Sequence, residues 1–323
     1  MEKSTRRMRY RVKINKNNVP KVARSNWFQD VVFRNYKKLS LAAGMVIILI
    51  TAWILSPFGI TNELVPHYDT QHIHPDSVAD LQEYFAEKNY TWPLGSRDAI
   101  PNLILDAIPK DIASLPTVHQ RKILFIKIML PIIHAELNYL NDFRQSLIDE
   151  LNHTGKNIEK EKWFTELLDE YNVNEDSYIA QRKELLNRID VLPTSLVLAQ
   201  AAIESGWGTS RFAKDGNSLF GQWTFNNKKS LVPNKRDSGK NHRVKAFDTL
   251  RASVRAYIKN INSNRAYKEL RDYRKQMRDQ QQAYDPLVLA RGLIRYSQQG
   301  QEYVQIIQTV LQSKEFVVVD RLD

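Results

Sequence analysis

The stretch Leu192-Pro-Thr-Ser-Leu-Val-Leu-Ala-Gln-Ala-Ala-Ile-Glu-Ser-Gly-Trp-Gly-Thr-Ser210 contains a helix whose two ends are both marked by the sequence. Pro193, followed by hydroxyl residues, is typical of the start of a helix. Gly206 is typical of a helix stop, because glycine readily adopts the left-handed conformation that ends many helices. The sequence therefore predicts a helix over 194–205 with Glu204 in its last turn.

A carboxylate in that last turn faces the negative end of the helix macrodipole. Glu204 shares its face with Val197, Gln200 and Ala201, and burial against the apolar neighbours and Trp207 would disfavour the charged form further. Both effects raise the pKa of Glu204, as a general acid requires near neutral pH. The alternative is a solvated carboxylate at a helix end, without a catalytic role.

Two sequence blocks follow one another in this region, Ala199-Gln-Ala-Ala-Ile-Glu-Ser-Gly-Trp-Gly208 and Asn217-Ser-Leu-Phe-Gly221. Together, and in this order, they resemble the signature of the glucosaminidase family (glycoside hydrolase family 73). Further segments are similar to the family's later motifs: Phe247-Asp-Thr249 followed by Ser253 and Tyr257, then Tyr296-Ser297 with Tyr303. The loop 236–242 and the preceding helical region resemble the Bax-like branch. The resemblance covers about residues 191–313.

This resemblance implies a lysozyme-related endo-β-N-acetylglucosaminidase that cleaves peptidoglycan between N-acetylglucosamine and N-acetylmuramic acid. It places Glu204 on the catalytic acid. Aromatic residues are expected to bind the substrate in its groove, because pyranose rings present apolar C–H faces to aromatic rings. Core packing is the alternative for two of them, Trp207 and Phe220. The aromatic candidates are Trp207, Phe220, Trp223, Tyr257 and Tyr296.

A second carboxylate is expected, since most glycosidases pair the acid with a nucleophile or base. The resemblance places it in the β lobe, where Asp237 is the first candidate and Asp215 and Asp248 are alternatives. The family's commoner loop carries Glu there, and this sequence departs from it. The acetamido group of the substrate could serve instead. No cofactor and no metal site are expected.

The net charge of +11 belongs to the N-terminal tail. Residues 1–38 hold twelve Lys and Arg against Glu2 and Asp30, a net of +10, so the remaining residues carry about +1. A nucleic-acid partner is not expected, because phosphate recognition needs a basic face on the folded domain. The sequence has no cysteine, which excludes disulfides, thiolate metal sites and a cysteine nucleophile.

Residues 39–62 contain no charged side chain, and about 20 apolar residues suffice to cross a bilayer. The sequence predicts a transmembrane anchor over 39–60, with a cleaved signal peptide as the alternative. Arg34, Lys37 and Lys38 precede it, so the positive-inside rule places the N-terminus in the cytoplasm and the rest in the periplasm. A second apolar run, 123–133, contains Lys127 and Pro131 and is interpreted as a buried helix of a soluble domain.

The predicted fold is mainly α (α+β): a lysozyme-like helical domain with a small β lobe, preceded by a helical subdomain and the transmembrane helix. Helices are predicted near 77–88 and at about 249–262, 285–296 and 300–313, and short strands at 219–225 and 244–247. The predicted partners are peptidoglycan glycan strands, inner-membrane lipids and a possible protein bound through 1–38 or 61–190. A lytic transglycosylase and an inactive wall-binding scaffold remain as alternative functions. The predicted segments are a cytoplasmic tail (1–38), the anchor (39–60), an extended connector (61–117), the helical subdomain (118–190), the catalytic domain (191–316) and a tail (317–323).

Overall fold

Helices make up most of the regular structure in the computed structural model, which describes residues 70–153, 158–224, 228–232 and 243–322. The basic tail, the predicted anchor and Asp237 lie outside these residues. The helices are α1 (Val78–Glu87), α2 (Val118–His153), α3 (Lys162–Glu170), α4 (Tyr178–Arg188), α5 (Thr194–Ser205), α6 (Arg211–Gly216), α7 (Leu250–Ser263), α8 (Lys268–Asp279), α9 (Pro286–Arg291), α10 (Gln301–Leu311) and α11 (Lys314–Asp320). The strands are β1 (Gln71–Ile73), β2 (Leu103–Leu105), β3 (Trp223–Thr224), β4 (Ser230–Leu231) and β5 (Arg243–Lys245).

A small antiparallel sheet lies between α6 and α7, with β5 at its centre. Val244 of β5 pairs with Trp223 of β3 on one side and with Leu231 of β4 on the other. Strand β3 and the central strand β5 fall where the sequence predicted short strands, at 219–225 and 244–247, whereas the outer strand β4 was not predicted. The mainly helical fold with a small sheet is therefore confirmed.

The long helix α2 supplies much of the core. Its apolar run 124–133 is buried apart from Lys127, which is half-buried. Helix α2 packs against α5 and α7. Pro131 lies inside the helix and does not end it, so the surrounding burial outweighs the backbone hydrogen bond that proline removes. By length and composition, Val118–Asn152 is the one helix among the described residues that could cross a membrane, yet 67% of its apolar window is buried in protein.

Residues 61–117 were expected to be an extended connector, and the part of it that the structure describes, 70–117, contributes to the core. Strands β1 and β2 pair in parallel, and Ile104 and Leu105 are fully buried. The backbone N–H of Val78 donates to both carboxylate oxygens of Asp111 at 3.1 Å. The helix expected at 77–88 is confirmed as α1, with Ser77 as its N-cap.

A buried ionic cluster around Asp190 fixes the chain just before α5. Arg278 Nε donates to Asp190 Oδ2 at 2.9 Å, and Tyr284 Oη donates to the same oxygen at 2.8 Å. Arg274, which is fully buried, donates to the backbone oxygens of Asp190 and Val191 at 2.9 and 3.1 Å. Helix α8 was not predicted, because arginines occupy the buried face where apolar residues would have indicated a helix.

The C-terminal helices differ from expectation at two places. Helix α9 ends at Arg291, whereas a helix was expected over 285–296. The next residue, Gly292, lies against the backbone of α8, where an added Cβ would stand 2.4 Å from the Leu270 nitrogen. A tail was expected over 317–323, but α11 continues to Asp320 and buries the apolar side chain of Val319.

Candidate active site

The end of α5 holds Glu204 in place through a tight turn. The Ser205 hydroxyl donates to the Ala201 carbonyl at 2.6 Å and accepts from the Gly208 backbone N–H at 2.9 Å. An added Cβ at Gly208 would lie 2.8 Å from the Ile108 side chain, so only glycine fits there. The chain leaves the helix through three consecutive residues with positive φ, namely Gly206, Trp207 and Gly208.

Glu204 occupies a protected position at this helix end. Burial raises the pKa of Glu204, and the weaker influence of a hydrogen bond from Tyr303 lowers it. The direction agrees with the one expected from the sequence, and the negative end of the α5 macrodipole acts in the same sense. The carboxyl group therefore holds its proton to a higher pH than a solvated glutamate does.

A chain of hydrogen bonds runs from the core to Glu204. Tyr257 Oη donates to Gln200 Oε1. Gln200 Nε2 donates to Tyr303 Oη at 3.0 Å, and Tyr303 Oη donates to Glu204 Oε1 at 2.8 Å. Gln200 lies four residues before Glu204 on α5, so both face the same side of the helix. Because Gln200 and Tyr257 are fully buried, no solvent competes for the bond between them.

Aromatic rings surround this chain in two stacked pairs. The Phe220 and Tyr257 rings are 4.0 Å apart between centroids at an angle of 13°. The Tyr296 and Tyr303 rings are 5.3 Å apart at 9°. Tyr296 Oη donates to the Phe220 carbonyl at 3.1 Å, which joins the two pairs. The stacks restrict the rotation of Tyr303 and so help to aim its hydroxyl at Glu204.

The segment 217–221 connects the β lobe to the helices. Asn217 adopts a left-handed conformation with φ 50°, and its side-chain amide donates to the carbonyls of Phe247 and Asp248 at 3.2 and 3.1 Å. The Leu219 backbone N–H donates to Ser253 Oγ at 3.2 Å. These bonds fix the backbone that carries Phe220 beside Glu204.

An open groove of about 1060 Å³ lies in front of Glu204. Its walls come from the end of α5, from β3 and β5 of the small sheet, from α7 and from the segment 296–306. Trp223 extends into solvent at its edge, with 64% of its surface exposed. The lining residues used below are Glu204, Phe220, Trp223, Lys245, Ala256, Lys259, Tyr296 and Tyr303.

Two predicted sugar-binding residues are not among those that line this groove. Trp207 packs edge-on against Phe125 and Phe316, at centroid distances of 5.9 and 6.1 Å. Lys122 covers it, with its Nζ 4.8 Å from the ring centroid. Tyr257 is fully buried behind Phe220. Trp207 is thus packed against the core, whereas Phe220, Trp223 and Tyr296 line the groove. That these three residues bind sugar stays a prediction.

Glu204 is the only carboxylate among the described residues that line the groove. Asp248 is exposed and its carboxylate accepts from Lys229 Nζ at 2.6 Å. Asp215 is exposed at the end of α6. Neither alternative lines the groove, and Asp237, the first candidate for the second carboxylate, lies outside the described residues.

Sequence reasoning did not assign roles to Gln200 and Tyr303. The spacing of four residues between Gln200 and Glu204 was the available signal, since it places both on one helix face. Tyr303 was recognised only as part of a tyrosine segment. Lys245 and Lys259, which add positive charge to the groove wall, carried no sequence signal that separates them from other lysines.

Part of this chain is similar in sequence to known proteins. Residues 179–315 match the family model described as glucosaminidase, mannosyl-glycoprotein endo-beta-N-acetylglucosaminidase. The chain is 34% identical over 134 residues to Protein bax of Escherichia coli (strain K12), covering 42% of this chain and 47% of that protein. It therefore spans about half the length of this curated relative.

Among solved structures, the chain is similar to the catalytic domain of the autolysin Auto from Listeria monocytogenes. The identity is 20%, the similarity covers 56% of this chain and 87% of that one, and the TM-score is 0.32. The family model spans α4 to α11 and includes every residue of the hydrogen-bond chain and of the groove wall described above. Residues 179–315 thus match the glucosaminidase family model.

Proposed function

We propose that this protein is a peptidoglycan hydrolase, an endo-β-N-acetylglucosaminidase that cleaves glycan strands with Glu204 as the general acid. The observation that carries the proposal is the position of Glu204. Its carboxyl group has a raised pKa and stands at an open groove with aromatic walls, inside the segment that matches the glucosaminidase family model. Cleavage of a glycosidic bond needs a proton on the leaving oxygen, and a carboxyl group that is still protonated near neutral pH can supply it.

The hydrogen bond from Tyr303 determines which oxygen of Glu204 carries the proton. The Tyr303 hydroxyl accepts from Gln200 and donates to Glu204 Oε1. Oε1 therefore acts as an acceptor both before and after proton transfer, and the transferable proton resides on Oε2. After transfer, the same bond stabilises the carboxylate that forms, so it is stronger in the transition state than in the ground state.

The aromatic residues of the groove suit sugar rings. Tyr296 lines the wall beside Glu204, and exposed Trp223 forms an edge of the groove on the β lobe. Indole and phenol faces pack against the C–H faces of pyranose rings while the hydroxyl groups remain solvated. In this proposal Trp223 and Tyr296 hold successive sugars on either side of the cleaved bond.

The water-activating group is proposed to be either Asp237 or the substrate's own acetamido group. Substrate assistance needs no second carboxylate in the groove. Among the described residues that line the groove, Glu204 is the only carboxylate. The two routes differ experimentally. Asp237→Asn lowers kcat by at least about a hundredfold if Asp237 is the base or nucleophile, and leaves kcat nearly unchanged if the acetamido group acts.

The single described carboxylate also favours a second candidate, a lytic transglycosylase. In that reaction the 6-hydroxyl of the substrate displaces the leaving sugar, so no water is activated and an anhydro sugar is formed. It would cleave the other glycosidic linkage. Mass spectrometry separates the candidates, because hydrolysis leaves a reducing N-acetylglucosamine end and transglycosylation leaves a product lighter by one water.

The test of the function is a peptidoglycan zymogram with the detergent-solubilised full chain. Glu204→Gln keeps the shape of the side chain and removes the proton donor, so we expect clearing to fall by about a hundredfold to ten-thousandfold. Glu302→Gln, an exposed glutamate outside the groove, is the matched control and retains activity. Equal clearing by wild type and Glu204→Gln would refute the acid role. An inactive wild type would instead favour a wall-binding scaffold.

The proposal also includes the cellular location of the enzyme. The uncharged segment 39–60 anchors the chain in the inner membrane, the basic residues before it stay in the cytoplasm, and the groove faces the wall in the periplasm. The basic tail can bind anionic lipid headgroups. Protease digestion of spheroplasts tests this topology: the C-terminal domain should be cleaved while an epitope in residues 1–38 survives.

A further inference from the structure

A second cavity, of about 460 Å³, lies on the other side of α7 from the proposed glycan groove. Helices α2 and α3 form its remaining walls together with the end of β5. Its floor is apolar and is made by residues that are nearly inaccessible to solvent, namely Leu140, Phe143, Leu167, Tyr171 and Ile258. Its size and its apolar floor with charges at the rim are typical of a ligand site.

The rim of this cavity carries two carboxylates that are already neutralised. Glu136 accepts from Arg255 Nε at 2.8 Å and also from Arg251. Glu170 accepts from Lys259. Lys245, in contrast, has no carboxylate partner among the described residues, and its Nζ lies 5.1 Å from the Phe247 ring centroid. The cavity therefore presents a net positive charge to a ligand.

The cavity and the groove have part of one wall in common. Lys245, Ala256 and Lys259 line both of them. Helix α7 lies between the two, and Ala256 contributes only a methyl group to the wall that they share. A branch attached to a sugar in the groove would cross α7 at this small side chain.

We propose that this second cavity binds the stem peptide of the glycan strand that occupies the groove. The proposal rests on the proposed function. Peptidoglycan carries a short peptide with free carboxylates and small methyl side chains on every second sugar. The carboxylates complement Lys245, and the methyl groups fit the apolar floor between α2, α3 and α7. The enzyme then prefers peptide-bearing strands to stripped strands.

The experiment compares two substrates prepared from one peptidoglycan. One consists of strands that carry their stem peptides, and the other of strands from which an amidase has removed them. The variant is Ala252→Phe on the full chain, because Ala252 lines the cavity but not the groove. The matched control is Ala180→Phe on α4. Both alanines are the third residue of their helix and receive a hydroxyl cap at the backbone N–H.

Wild type should cleave peptide-bearing strands with a kcat/KM about tenfold higher, the factor expected from one charge-assisted hydrogen bond. Ala252→Phe should abolish this preference and leave cleavage of stripped strands unchanged, while Ala180→Phe keeps the preference. Equal rates of wild type on both substrates, or equal losses of Ala252→Phe on both, would overturn the proposal.

A binding measurement keeps this inference separate from the proposed function. The free stem peptide released by the amidase is titrated calorimetrically into wild type, Ala252→Phe and Glu204→Gln. Binding to wild type and to Glu204→Gln but not to Ala252→Phe supports the stem-peptide site even if no glycan is cleaved. An absence of binding to wild type overturns it even if the enzyme is active.

Discussion

Replacing Tyr303 by phenylalanine tests the proposed acid directly, because it removes one hydroxyl and keeps the ring that stacks on Tyr296. The lost bond is the 2.8 Å donation to Glu204 Oε1. A hydrogen bond to a charged group contributes about 1.5–3 kcal/mol, and each 1.36 kcal/mol is tenfold in rate. We expect kcat for glycan cleavage to fall by about tenfold to a hundredfold.

The same substitution should also change the pH dependence of kcat in a defined direction. The Tyr303 bond lowers the pKa of Glu204, in opposition to burial, which raises it. Without that bond the pKa rises further, so the carboxyl group keeps its proton to higher pH. The alkaline limb of the kcat profile therefore moves to higher pH in Tyr303→Phe, and the deficit relative to wild type shrinks as the pH rises.

The assay is the release of new reducing ends from soluble glycan strands over a range of pH, at saturating substrate. Tyr90→Phe is the control, because its buried hydroxyl has no hydrogen-bond partner among the described residues and it does not line the groove. A limb that moves to lower pH in Tyr303→Phe, or a kcat equal to that of wild type, would refute the role assigned to this bond.

Four further substitutions have defined outcomes. Gln200→Leu leaves the buried Tyr257 hydroxyl without its partner, which should lower the free energy of unfolding by about 1–3 kcal/mol in urea titrations and lower kcat as well. Asp190→Ala leaves buried arginines unpaired and should cost about 3–5 kcal/mol in the same titration. Trp223→Ala should raise KM about threefold to tenfold and change the free energy of unfolding by less than about 0.5 kcal/mol. Trp207→Ala, in contrast, should lower the free energy of unfolding by about 3 kcal/mol.

Local signals in the sequence determined much of the fold. Helix α5 begins and ends where predicted, because proline restricts the backbone before Thr194 and Gly206 adopts the left-handed conformation after Ser205. Helix α8 was missed for the opposite reason. Its buried face carries Arg271 and Arg274, whose charges are compensated by backbone carbonyls that are distant in sequence, and no periodicity rule contains that information.

The direction of each aromatic ring was equally inaccessible to sequence reasoning. In the sequence, Trp207 and Trp223 both come one or two residues after a glycine. Trp207 nevertheless packs against Phe125 and Phe316, whereas Trp223 is exposed at the groove. The difference arises from the positive φ of Trp207, which turns its side chain back towards α2. Such a turn depends on tertiary packing and not on residue type.

The use of tyrosine as the partner of Glu204 has a consequence for catalysis. Burial raises the pKa of Tyr303 far above its ordinary value, and the neighbouring Glu204 charge raises it further. Tyr303 therefore remains a neutral donor at every pH at which the enzyme can work, whereas a histidine or lysine there would change its charge. Within the chain Tyr257–Gln200–Tyr303–Glu204, only the carboxyl group then titrates. The alkaline limb of activity should have the slope of a single proton, and a steeper slope would mean that a second group outside this chain must also be protonated.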